Sequence, residues 1–128
     1  MQNDEKHGLQ GQRITLNPAK ILEHCRTWEN CDQLMIVFNS HPNIVGSWGS
    51  HLFQFIELND NHYFKFSVEA RRHKGQIYVF LHANDTFEIY FVSQSKIVGF
   101  MNEIYIDEII ERIDERIEKI DIYNPEIN

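Results

Sequence analysis

The chain has 128 residues, 42% of them hydrophobic and 24% charged, with a formal net charge of −7. That composition excludes disordered, collagen-like and disulfide-scaffold proteins, and a chain of this length buries roughly two-thirds of its unfolded surface, enough for one core without metal or disulfide staples. Residues 103–128 carry nine acids and three bases, so nearly all of the net charge belongs to the C-terminal segment. Nucleic-acid binders are commonly basic along one face, which places nucleic acid last among expected partners.

No apolar run exceeds five residues, whereas roughly 20 are needed to cross a bilayer. Residues 1–8 show no apolar stretch behind a basic start, so the expectation is a cytoplasmic protein with no membrane partner. Two cysteines, Cys25 and Cys31, are too few for a disulfide framework and read as free thiols.

In chain order, residues 1–13 are polar and aperiodic and read as an arm, residues 14–123 as a single domain, and residues 124–128 as a tail. Asn17 can cap a helix whose first turn holds Pro18, and Ile21, Leu22, Cys25 and Trp28 recur on one face, predicting a helix that runs to about Asn30. Residues 34–38 are apolar without alternation, as in a short strand buried on both sides. The Gly- and Ser-bearing segment from Gly46 to His51 matches neither a phosphate loop nor a nucleophile elbow and reads as a connection, with Trp48 plugging the end of the core.

From His51 onward, apolar alternation broken by polar turn clusters predicts strands at 51–58, 62–72, 76–83 and 86–92, with a further short strand at 96–100. Asn84-Asp85-Thr86, formally a glycosylation sequon, reads as turn chemistry. A last helix, capped by Asp107, carries Ile109, Ile110, Ile113, Ile117 and Ile120 at helical spacing. The predicted architecture is α+β: an N-terminal helix, a five- to six-stranded mainly antiparallel meander sheet and a C-terminal amphipathic helix, with the helices on one sheet face. The isoleucine stripe also has the spacing of a dimer seam, so monomer and homodimer both stay open, with sheet packing favoured because the core face needs cover.

Pleating sends alternate side chains to opposite faces. Turns placed at Asp60-Asn61, Lys74-Gly75 and 84–86 gather Phe53, Phe55, Phe64, Phe66, Val68, Ala70, Ile77, Val79, Leu81, Phe87, Ile89 and Phe91 on a core face. The other face then holds the candidate site. In that register His82 lies opposite Glu88 and beside Ser67, while Glu69 faces Phe80 between Lys65 and Arg71. A carboxylate beside His82 can hold its tautomer, which is how a general acid or base is positioned; His82, Glu88 and Glu69 are therefore the catalytic candidates. Lys65, Ser67, Arg71, Tyr78 and Tyr90 are the ligand-binding candidates.

His24, Cys25, Cys31 and His41 do not read as a zinc site, because neighbours on a helix point about 100° apart and Cys25-x5-Cys31 is outside knuckle spacing. No metal and no cofactor is expected. The expectation is a small interaction module that uses the polar sheet face to bind a protein partner or a small polar ligand. The alternatives are an acid/base hydrolase or lyase working with His82 and Glu88, and nucleic-acid binding through the Arg71–Lys74 hairpin.

Overall fold

A computed structural model describes residues 14–119 and contains four helices and one open five-stranded antiparallel sheet. The helices are α1 (Pro18–Leu22), α2 (Asp32–Asn39), α3 (Pro42–Ser47) and α4 (Ile109–Ile117), and the strands β1 (His51–Leu58), β2 (Asn61–Glu69), β3 (Lys74–Leu81), β4 (Phe87–Ser93) and β5 (Lys96–Ile104). Spatial order follows chain order, β1-β2-β3-β4-β5, so the predicted meander is present. The proposed arm and tail, with Ile120, lie outside the described residues.

Short turns dictate this topology. Leu58 pairs with Asn61 and Ser93 with Lys96, leaving Asn59-Asp60 and Gln94-Ser95 as two-residue turns in which all four residues have positive φ. That conformation matches the right-handed twist of the flanking strands. The β2–β3 connection spans residues 70–73, closed by the Ala70 N–H donating to the His73 carbonyl at 2.9 Å. Lys74 and Gly75 therefore belong to β3 and not to the turn; Gly75 fits there because a Cβ would collide with the Val92 carbonyl.

Both edge strands are irregular. β1 carries an extra residue between His51 and Gln54, where Leu52 has φ 58°, and β5 carries one opposite Phe87–Ile89, where Glu103 has φ 57°, and another opposite Phe91–Val92. These are β-bulges, each holding two residues against one on the partner strand.

The main core is aromatic and branched-aliphatic. Phe64, Phe66, Ile77, Val79, Ile89 and Phe91 share a buried cluster with Leu34 and Phe38 of α2, Val45 of α3, Trp48, and Ile109, Ile110, Ile113 and Ile117 of α4. Nearly all of the predicted core face is in this cluster, although Phe53 is 40% exposed. A second cluster joins Ile21 and Leu22 of α1 to Tyr63 and Phe80, which alternate with the first set along their strands. The helices thus do not all share one face, because the apolar side of α1 belongs with the opposite set of strand residues.

Three local expectations are corrected. Residues 34–38 form α2 and not a strand: Leu34 and Phe38, one helical turn apart, are the buried pair, while Ile36 between them is 64% exposed, which a strand buried on both sides does not allow. A five-residue apolar run carries too little period to separate the two states. Gly46 and Ser47 close α3 rather than forming a plain loop, although Trp48 is fully buried as expected, its Nε1 donating to Asp114 Oδ1 at 2.9 Å. The cap of α4 is Glu108, not Asp107, and its carboxylate accepts from the Tyr105 N–H at 3.0 Å.

Two predictions follow from this packing. Ile113→Ala, at a fully buried position, should lower unfolding free energy by about 2–5 kcal/mol in denaturant titrations, independent of protein concentration if the stripe serves the core. His73, buried and edge-on to Phe91 at 5.6 Å, has its pKa held below the ordinary 6.5, chiefly by burial; its contact with the Gln76 carbonyl opposes the shift and the Arg116 charge adds to it. The unfolded chain then binds the proton more readily, so this contribution is complete above pH 6.5 and is lost as pH falls toward the folded value. Denaturation midpoints measured against pH should show that loss in the native chain and a shallower slope in His73→Gln.

Candidate functional site

The site is assembled by the segment after α1. The i→i−3 hydrogen bonds of His24 and Cys25 end that helix, and the next amide, Arg26 N–H, donates instead to the Leu81 carbonyl at 3.2 Å. Residues 23–30 thereby form a strap, a final turn to Cys25 followed by an extended run past the end of the sheet, with Cys25 bridged to His82. Asn61, 7% exposed, fixes the strap: its Oδ1 accepts from Trp28 N–H at 2.7 Å and His62 N–H at 2.8 Å, and its Nδ2 donates to the Arg26 carbonyl at 3.0 Å. His62 Nδ1 donates to the Trp28 carbonyl at 2.9 Å while its ring stacks on Phe55 at 4.4 Å. The predicted continuation of α1 to Asn30 fails because these tertiary partners take the backbone groups that a helix would have used.

The strap carries side chains to two places. Cys25 joins the second cluster, whereas Trp28 enters the main core edge-on to Phe55 at 5.1 Å. His24 is brought to Glu88, its Nε2 lying 3.1 Å from Oε1 and 3.2 Å from Oε2. His82 Nε2 lies 3.8 Å from Glu88 Oε2.

The predicted pair of His82 and Glu88 is therefore present, but in a different register. Glu88 pairs with Phe80 and not with His82, since the β3–β4 connection spans residues 82–86 and Leu81 pairs with Phe87. The slip is one residue on each strand, which preserves the faces, so the two side chains still meet diagonally. Asn84 organises this connection: its Oδ1 accepts from Thr86 N–H at 3.2 Å and Thr86 Oγ1 at 2.6 Å, while Asp85 takes φ 70°. The sequon is turn chemistry, as read.

The other predicted site residues are spread along the sheet. Ser67 pairs with Gln76 and Glu69 with Lys74, so neither lies beside His82 or Phe80, because the β2–β3 register slips by three residues on each strand, six between partners, relative to a Lys74-Gly75 turn. Lys65 pairs with Tyr78 and holds its ammonium 5.3 Å from that ring. Arg71 is exposed, its N–H donating to Glu118 Oε1 at 2.8 Å, so the basic Arg71–Lys74 connection has a carboxylate against it and His73 buried within it. Tyr90 stands near Glu88; burial first, then the charges of Glu88 and Cys25, hold its hydroxyl well above the usual tyrosine range. Burial, with Glu88 adding, pushes the Cys25 thiol up to about 12, so it stays protonated, donating to the Ile21 carbonyl at 3.3 Å.

Two depressions flank the strap and the β3–β4 connection. A small one of about 50 Å³ is bordered by His82, Asn84, Thr86, Glu88, Asn102 and Glu103. A cleft of about 860 Å³ lies on the other side: Trp28, Leu34, Leu81, Phe87 and Ile106 line it with buried or half-buried apolar surface, and the exposed Arg26, Thr27, Glu29, Asn30, Gln33 and Asp85 supply its polar groups. Arg26 and Asp85 are ion-paired across one lip. Sequence reasoning missed both His24 and this cleft, each of which depends on where α1 stops.

Comparison with protein families, curated proteins and solved structures finds no match to this chain.

The strap should fail as a unit. Asn61→Ala leaves the Trp28 N–H and the Arg26 carbonyl without partners, at about 1–3 kcal/mol for each buried group left unsatisfied. A loss of about 2–4 kcal/mol in unfolding free energy is expected, with a red-shifted emission from Trp28 as it gains water.

Proposed function

We propose that the protein is a binding module for a small ligand with a flat apolar body and a neutral hydrogen-bonding edge, held in the cleft beside the strap. The cleft itself carries this reading: its volume of about 860 Å³ falls within the roughly 300–1,000 Å³ of small-molecule sites, and it joins an apolar lining to a few convergent polar groups. Trp28, Phe87 and Leu81 offer surface for the body of the ligand, and Thr27, Asn30 and Gln33 offer donors and acceptors for its edge. The rim disfavours anions, because Glu29 and Asp85 outnumber Arg26, whose charge Asp85 already engages.

The polar sheet face is a poorer candidate than the composition of its strands suggests. Tyr63 and Phe80 are buried there with Ile21 and Leu22, and Tyr78, Tyr90 and Ile56 pack against them. A hydrolase or lyase working with His82 and Glu88 would have about 50 Å³ in which to enclose a substrate, far below the volume of ordinary ligand sites. Binding in the cleft therefore ranks above acid/base catalysis.

Amide NMR titration with a neutral nucleoside and with its 5′-monophosphate tests this reading. The nucleoside should move the Trp28 indole N–H and the amides of Thr27, Asn30 and Gln33, the monophosphate should bind no tighter, and Ile106→Trp should abolish the shifts by filling the cleft. Shifts elsewhere, or shifts that survive Ile106→Trp, would refute it.

A further inference from the structure

His24, His82 and Glu88 come from the strap, the end of β3 and β4, and their ligand atoms all lie within 4.8 Å of one another. The contacts of 3.1, 3.2 and 3.8 Å between imidazole nitrogens and carboxylate oxygens bracket the separation of about 3.3 Å that nitrogen and oxygen ligands adopt around a tetrahedral ion with bonds of about 2.0–2.1 Å. We propose that these three side chains bind one divalent transition-metal ion, zinc foremost, leaving a fourth position open toward the depression bordered by Asn102 and Glu103.

The hydrogen bonds around His82 accommodate this role. The Thr86 N–H and hydroxyl both donate to Asn84 Oδ1, which fixes that atom as the amide oxygen. It lies 3.2 Å from His82 Nδ1, which is also placed to accept from the Asn84 N–H at 3.4 Å, so these surroundings admit either neutral tautomer. With the hydrogen on Nδ1, Nε2 presents its lone pair on the side of the Glu88 carboxylate. A metal ion, like a proton, then satisfies both groups. An imidazole whose other nitrogen donates to a carbonyl oxygen is also the usual arrangement of a metal-ligating histidine, since it sets the tautomer and raises the basicity of the ligating atom.

Glu88 strengthens the case. It is 8% exposed, and among the described residues its carboxylate is engaged by the two imidazoles alone. A buried carboxylate is costly unless paired or bound to a metal. His24 Nε2 is nearly equidistant from its two oxygens instead of making one short bond, as expected of groups converging on a common centre. Two histidines, one carboxylate and an open position form a recurrent zinc ligand set, and the same donors also suit copper and nickel. Cys25, although adjacent, is turned to the Ile21 carbonyl and contributes no ligand. This site lies apart from the cleft and does not depend on the ligand proposed there.

The full chain, stripped with chelator and dialysed, should be titrated with Zn²⁺ by calorimetry and with Co²⁺ by visible absorption. One equivalent should bind, Co²⁺ should show the d–d bands of a four-coordinate ion, and Zn²⁺ should raise the melting temperature by mass action. His24→Ala and Glu88→Gln should each weaken binding by more than the roughly 10–100-fold expected for Asn84→Ala, which removes only the partner of a ligand. His41→Ala, at an exposed histidine outside the cluster, should change nothing. Far-UV circular dichroism of each metal-free variant separates loss of the site from loss of the fold; His24, with half of its side chain exposed, is the substitution the fold tolerates best. Absence of saturable one-to-one binding, or binding that persists unchanged in folded His24→Ala, would overturn the proposal.

Discussion

The side-chain amide of Asn61 ties the two ends of this structure together. It sits at the first residue of β2, immediately after a left-handed turn, and grips the strap through one donor and one acceptor while also accepting from its own neighbour's amide. An extended segment has no hydrogen bonds of its own to offer, so residues 26–30 hold their path because groups of the sheet replace them. The Leu81 carbonyl, His62 and the Cys25–His82 bridge complete that replacement. With the strap fixed, Trp28 reaches the main core and His24 reaches Glu88. The cleft exists because this short segment forms one of its walls.

Much of the sheet was legible because its information is local. Period-2 alternation and polar turn clusters reveal strands and their faces, and an even error in register leaves each face intact. That is why Phe64, Phe66, Val79 and Ile89 are all in the expected core although the turns were misplaced. It is also why His82 and Glu88 meet without being opposite each other. Ser67 and Glu69 were lost from the site for the complementary reason: three residues of slip on each strand, six between partners, keep a side chain on its face but move it about 20 Å along the partner strand.

What the sequence hid is tertiary. Ile21, Leu22, Cys25 and Trp28 have flawless helical spacing, yet the last two serve different clusters, and nothing in the residues between them announces that Leu81 and Asn61 will claim their backbone. The strand expected at residues 34–38 failed for lack of length. The extra helix α3 ends in the first two residues of a segment whose glycines and serines speak for a loop. Residues set by long-range partners are the ones that local pattern misreads, and here they are the residues that build the candidate sites.

The irregular edges of the sheet have a consequence for the protein's life in a crowded solution. An open sheet offers two rows of unpaired backbone groups, and a long regular edge is a template for a strand from another molecule. Here neither edge is regular: β1 is distorted at Leu52, and β5 is distorted twice, with Ile14 and Thr15, which precede α1, bonded to Ile97 and Lys96 near its start. A bulge breaks the spacing and bends the strand, so an incoming chain cannot stay in step for more than a few residues. The same kinks, one of them at Glu103 on the border of the small depression, thus guard an aromatic-rich sheet against growing, strand by strand, into a fibre.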